Sequence, residues 1–114
     1  MRLKDKVIIV TGSTKGIGQA IAERCVAEGA QVLVHGRDQV GGEALVAKLG
    51  SAAALHIDDL ADPGCPTRLV EAAMAAFGRI DSVVNNAAIV SRSDLSNATV
   101  EDFDYTVAVN LRAP

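Results

Sequence analysis

A doubly wound α/β fold, a parallel sheet with helices on both faces, is predicted by two observations. Apolar stretches of strand length alternate four times with stretches of helical periodicity, and glycines mark the turns between them. Residues 1–114 fit one domain of common size. Hydrophobic residues make up 49% of the chain but aromatic ones only 3%, so Val, Ile, Leu and Ala must build the core. Such small side chains suit helices packed on a parallel sheet.

The first strand is read at Lys6 to Thr11, followed by a helix that places Ile17, Ile21 and Cys25 at four-residue spacing on one face and stops at Gly29. Gln31 to His35 is the second strand. A helix from Gln39 to Leu49 follows, weakened by Gly41 and Gly42, each costing roughly 1 kcal/mol relative to alanine in a helix interior. Strand three runs from Ala53 to Asp58. Asp62-Pro63 then reads as an N-cap with proline in the first turn, while Pro66 is close enough to delay that start. Leu69, Ala73 and Phe77 form the buried face of this third helix, and Gly78 closes it ahead of strand four, Ile80 to Asn85. The last helix follows Thr99, with Val100, Phe103 and Val107 on one side and Thr99-x-x-Asp102 as a relative of the capping box. Right-handed crossovers give the strand order 3-2-1-4 with helices placed alternately on the two faces. Reversed winding between strands one and four then opens a crevice at their carboxyl ends, where a ligand is expected.

Composition excludes several classes. The net charge of −3 and the lack of a basic stripe argue against a nucleic-acid partner. No stretch is long and charge-free enough for a signal peptide or membrane span. Cys25 and Cys65 form no C-x-x-C pattern, so neither a disulfide framework nor a redox motif is indicated, and a reducing cytoplasmic setting is expected. Asp58, Asp59 and Asp62 are explained by a strand end and a cap without a metal site.

The first strand empties into Thr11-Gly12-Ser13-Thr14-Lys15-Gly16-Ile17-Gly18. Glycines at 12, 16 and 18 suit a tight turn, a close approach of backbone to phosphate and close helix–strand packing, with helix N–H groups facing the anion. The spacing resembles the Thr-Gly-x-x-x-Gly-Ile-Gly loop of the short-chain dehydrogenase/reductase family, whose fold is Rossmann-type. Asp81-Ser82-Val83-Val84-Asn85-Asn86-Ala87-Ala88 resembles that family's Asp-x-x-Val-Asn-Asn-Ala-Gly, with Ala88 in place of glycine. A methyl there costs stability if the position needs positive φ. By this resemblance Asn85 helps fix the sheet, while Asn86, Ala87 and Ala88 lie against the nucleotide. Asp59-Leu60-Ala61-Asp62 is similar to the family's adenine-contacting segment, which assigns Asp59 and Leu60 to that role.

An acid at the end of strand two would hydrogen-bond the ribose 2′-OH of NAD. Gly36 stands there, followed by Arg37, and Lys15 adds a second cation, which favours NADP(H) over NAD(H). Arg37 as a surface residue paired with Asp38 is the other reading. Asn110, in Val109-Asn110-Leu111, matches the family's asparagine that helps hold a water and the catalytic lysine. No Tyr-x-x-x-Lys pair occurs, since Tyr105 is followed four residues later by Val109. His35 and His56 read as packing or strand-edge residues.

The resemblance covers essentially the whole chain and implies the cofactor-binding half of an oxidoreductase that moves hydride between a nicotinamide and a small carbonyl or alcohol substrate. These residues alone are expected to be catalytically inert. A longer polypeptide is expected to form a homo-oligomer, and an exposed strand-four edge with Val83 and Val84 invites further chain or self-association. A non-catalytic nucleotide-binding module is the second reading. A different Rossmann-type enzyme such as a methyltransferase is the third, opposed by the Asn-Asn-Ala motif and Arg37.

Overall fold

The computed structural model describes residues 1–90 and 96–114. Four parallel strands, β1 (Val7–Val10), β2 (Gln31–Gly36), β3 (Ala53–Ile57) and β4 (Ser82–Val84), form one sheet in the order β3-β2-β1-β4. The intervening helices are α1 (Gly16–Ala27), α2 (Gln39–Leu49) and α3 (Cys65–Phe77). A short 3-10 turn at Gly50–Ala52 leads into β3, and α4 (Val100–Val107) continues into a π-helical turn at Ala108–Arg112. The expected doubly wound α/β fold and strand order are both present.

Central strands β1 and β2 are buried on both faces, which is why they read as continuous apolar runs rather than alternating ones. On one side Ile8, Val10, Val32 and Val34 pack against Ala22, Cys25 and Leu45 of α1 and α2. On the other, Ile9 and Leu33 pack against Cys65, Leu69 and Ala73 of α3, with Val109 from the turn after α4. The helices therefore do not alternate strictly between faces. Two successive right-handed crossovers running outward from β1 put α1 and α2 on the same face, and the reversal to β4 carries α3 to the other.

Three local expectations are also corrected. Asp62 does not cap α3, because its carboxylate accepts the Gly64 amide in a turn, and the helix starts at Cys65 with Pro66 in its first turn. Ile17, placed on the buried face of α1, is 75% exposed because it sits in the first turn at the rim of the sheet. Val100 and Phe103 are likewise exposed, since it is the end after α4, through Ala108 and Val109, that reaches the core. By contrast, α2 spans Gln39–Leu49 as expected, and its glycines have a packing reason. A Cβ built on Gly42 would lie 2.6 Å from Leu55 Cδ1 of β3. Asp38 caps this helix by accepting the Gly41 amide. Thr99 and Asp102 form a complete capping box at α4.

Candidate functional site

The loop between β1 and α1 is tied down from three directions. Thr11 Oγ1 accepts the backbone amides of Asn86 and Ala87 at 3.1 and 3.0 Å, turning the chain after β4 toward the loop and ending the strand. Asn86 Nδ2 donates to the carbonyls of Thr11 and Gly12 at 3.2 and 3.1 Å, so Asn86 rather than exposed Asn85 links the two segments. Ser13, fully buried, donates from Oγ to Val10 O and accepts the His35 amide. Gly18 completes the packing, for a Cβ there would lie 2.2 Å from the Gly12 carbonyl oxygen.

This loop borders a cavity of about 530 Å³ at the carboxyl ends of the strands. Gly12, Thr14, Lys15 and Gly16 line one side, and Asn86, Ala87 and Ala88 another. Arg37, Asp59 and Leu60 line it as well. Lys15, the N-cap of α1, gives no side-chain cap, so the first-turn amides of the helix are left uncapped beside the cavity. Gly16 has φ +62°, and a Cβ built on it meets no atom within 4 Å, leaving open space over that turn. These features suit an anion. Ala88 is not among the residues with positive φ, so its methyl carries no backbone strain.

Thr11, Ser13, Ile17 and Gly18 do not line the cavity: three of them build the loop from behind, and Ile17 points away into solvent. Asn110 also stands outside it, its side chain accepting the Ile89 amide and donating to the Ile89 carbonyl, both at 2.9 Å. Its position on the π-helical turn orients both groups toward the segment that follows β4.

Sequence reasoning gives no binding role to His35, Asp58 and Tyr105, yet all three line the cavity. Tyr105 accepts a hydrogen bond from Arg37 Nη1 at 2.6 Å and donates to the Asp59 carboxylate at 3.1 Å. Its ring centroid lies 5.8 Å from the Arg37 guanidinium carbon. Arg37 thus reaches across to α4 instead of pairing with Asp38. Burial, helped by Asp59, pushes the Tyr105 phenol up, which keeps the proton that it donates. Nothing in the spacing of residues 37, 59 and 105 signals this contact, because it depends on how α4 returns over the sheet. Gly36 is buried against Thr14, and a Cβ there would lie 2.6 Å from Thr14 Cγ2, so the strand end leaves no room for an acid.

The short chain dehydrogenase family profile matches residues 6–114. The chain belongs to the short-chain dehydrogenase family. It is 39% identical over 112 residues to an NADP-dependent (R)-specific alcohol dehydrogenase of Lentilactobacillus kefiri, covering 96% of this chain and 44% of that protein. To the D-threitol dehydrogenase of Mycolicibacterium smegmatis it is 37% identical, with the same coverage. Among solved structures, a short chain dehydrogenase from Burkholderia cenocepacia in complex with NADP superposes with a TM-score of 0.93 at 38% identity, covering 99% of this chain and 48% of that one. A 3-ketoacyl-(acyl-carrier-protein) reductase from Brucella melitensis complexed with NADH gives 0.91 at 35%, covering 97% and 46%. This short-chain dehydrogenase chain therefore spans less than half the length of the relatives it matches. No helix among the described residues is long and apolar enough to cross a membrane.

The three aspartates that follow β3 each have a protein partner. Asp59 takes Tyr105 and the Ala61 amide, and Asp62 takes the Gly64 amide and Arg68. Asp58 accepts Arg68 Nε and Nη2 at 2.6 and 2.9 Å and contacts His56 Nε2 at 2.9 Å. The Arg68 hydrogen bonds hold the Asp58 carboxyl far below the usual carboxylate range, outweighing partial burial. Because its folded pKa is depressed, ionised Asp58 stabilises the chain fully above the ordinary carboxylate pKa of about 4, and that contribution declines at lower pH and is gone only once pH has fallen through the depressed folded value. Asp58→Asn is therefore expected to lower the thermal midpoint at pH 7 and to show a smaller, still measurable deficit near pH 3. Thermal unfolding followed by circular dichroism checks this, and an equal deficit at both pH values would contradict it.

Proposed function

We propose that the cleft binds the adenosine and pyrophosphate portion of NADP(H), as the cofactor-binding part of an oxidoreductase that interconverts a small carbonyl compound and its alcohol. The observation that carries the reading is the uncapped amino end of α1, opening with the Cβ-free space over Gly16 onto a cavity lined by Lys15 and Arg37. Thr14, Gly12 and Gly16 would flank the pyrophosphate, Asn86, Ala87 and Ala88 the middle of the dinucleotide, and Asp59 and Leu60 the adenine. Bound there, the cofactor supplies hydride; the residues of this chain hold and orient it.

Preference for NADP(H) over NAD(H) rests on Arg37 and on Gly36, which presents no carboxylate to repel a 2′-phosphate. To engage that phosphate, Arg37 exchanges its hydrogen bond to the Tyr105 hydroxyl for charge-assisted ones. Asn110 clamps Ile89 and so shapes the wall on which the nicotinamide end would rest, the position from which the family resemblance draws a proton relay. With no Tyr-x-x-x-Lys pair among them, these residues by themselves bind without turning over. Two free, buried thiols suit a reducing cytoplasm. Homo-oligomerisation of a longer polypeptide stays part of the proposal, with Val83 exposed at the free edge of β4 as its support.

Calorimetric titration with NADPH and NADH tests the reading. Arg37→Ala is expected to weaken NADPH by about ten- to a hundredfold, the worth of a hydrogen bond to a charged group, and to leave NADH nearly unchanged. Equal losses for the two, or tighter NADH in the unmodified chain, would overturn the preference. A lack of binding to either would overturn the site.

A further inference from the structure

We propose that His35 is a positioning residue for the glycine loop: as the neutral Nε2–H tautomer it fixes the Gly12 amide, and nucleotide affinity depends on that imidazole staying unprotonated. The inference rests on the nucleotide-binding reading of the cleft and adds a residue and a pH dependence to it.

His35 lies in β2, is 2% exposed, and has a protein partner on each ring nitrogen. The Gly12 amide, 3.1 Å from Nδ1, can only donate, so Nδ1 must be the acceptor. The Asp58 carbonyl, 3.0 Å from Nε2, can only accept, so Nε2 must carry the proton. One neutral tautomer satisfies both partners. An imidazolium would set an Nδ1–H against the Gly12 N–H, leaving that partly buried amide without its acceptor. The backbone of His35 reinforces the link, donating to Ser13 Oγ at 3.0 Å and accepting the Ser13 amide at 2.7 Å. Three contacts thus join β2 to the turn at Gly12, whose φ of +62° directs the loop toward α1.

The charged and titratable groups around the ring come mainly from the end of β3 and the segment after it. His56 disfavours protonation of His35, while Asp58 and Asp59 favour it. Arg68 of α3 neutralises Asp58 through two hydrogen bonds, and on the loop side Lys15 and Arg37 are exposed. Burial is the largest influence and holds the His35 imidazole below its ordinary range. Since the folded pKa is depressed, the neutral ring and the loop geometry it supports are present at neutral pH, persist through the ordinary imidazole range, and are lost as pH falls through the depressed value.

The test is calorimetric titration with NADP⁺ between pH 8 and pH 5 on the unmodified chain, His35→Asn and His35→Leu. Long-range ¹H–¹⁵N spectra of the imidazole and of the Gly12 amide are recorded over the same range without nucleotide. Asparagine keeps an acceptor near the Nδ1 position but cannot titrate, so it should bind well at pH 8 and lose only the affinity that the 2′-phosphate's own titration removes. The unmodified chain should lose up to about tenfold more for each pH unit below the imidazole pKa. Leucine leaves the Gly12 amide unpaired and should bind weakly at every pH. A purely structural role would lower stability without separating the pH slopes. Identical slopes for the unmodified chain and His35→Asn, or spectra that place the proton on Nδ1 at neutral pH, would overturn the proposal. If no variant binds NADP⁺ at any pH, the nucleotide reading itself fails. The spectra still decide the role of His35: a Gly12 amide signal that does not follow the imidazole titration overturns it.

Discussion

Gly18→Ala is expected to destabilise the chain by about 3 kcal/mol and to lower its thermal midpoint by at least ~10 °C, with loss of nucleotide binding. The added Cβ would lie 2.2 Å from the Gly12 carbonyl oxygen, 2.5 Å from Asn86 Nδ2 and 2.9 Å from the Gly12 carbonyl carbon. Backbone atoms cannot swing aside as a long side chain can, so either α1 separates from the sheet or the Gly12 turn deforms. Gly16→Ala is the contrasting case. Its Cβ meets nothing within 4 Å, so its stability cost is limited to the strain of φ +62°, about 1 to 2 kcal/mol. Its methyl nonetheless projects into the space proposed for the pyrophosphate. Thermal unfolding and NADPH titration of both variants distinguish the two: Gly18→Ala should fail in both assays, Gly16→Ala chiefly in the second. A Gly18→Ala chain with an unchanged midpoint would show that the loop and helix are not in contact as described.

Thr11→Val should cost about 2 to 4 kcal/mol although it preserves volume and shape. The Thr11 hydroxyl accepts the amides of Asn86 and Ala87 and donates to Val84 O, so removing it leaves two backbone donors unpaired beside a residue that is only 5% exposed. Thr11→Ser keeps the hydroxyl and should stay close to the unmodified chain. Urea midpoints measure the comparison, and equal values for the valine and serine variants would show that water or a shifted backbone satisfies those amides instead.

Much of this molecule is legible along the chain because its signals are local. A buried parallel strand must be a short apolar run, a helix must show its apolar stripe, and glycine reports turns with positive φ. β1, β2 and β3, the full span of α2, the Thr99 capping box and the Gly78 stop could therefore be read in order. The start of α3 is not legible in the sequence because Asp62 has two uses for one carboxylate, a cap or a turn, and the Gly64 amide takes it. The outward face of α4 is not legible either, because periodicity reports that a helix has an apolar side but not what lies opposite it.

For the candidate site the division is similar. The glycine loop and the Asn-Asn-Ala segment are contiguous motifs, and Arg37 stands at a strand end whose position follows from the strand pattern. His35, Asp58 and Tyr105 carried no such mark. Their roles arise from pairings across 23, 10 and 46 or 68 residues, between His35 and Gly12 or Asp58, Asp58 and Arg68, and Tyr105 and Asp59 or Arg37.

By itself, the sequence determined the fold class, the strand order and the place where the cleft opens, because strand burial and crossover handedness leave few ways to wind four parallel strands. Only the tertiary structure decided which groups meet the two imidazole nitrogens of His35 and that Arg37 rests on Tyr105. Each of these depends on which donors and acceptors meet once the segments are packed. That is a property of distances through space, and spacing along a chain does not encode it.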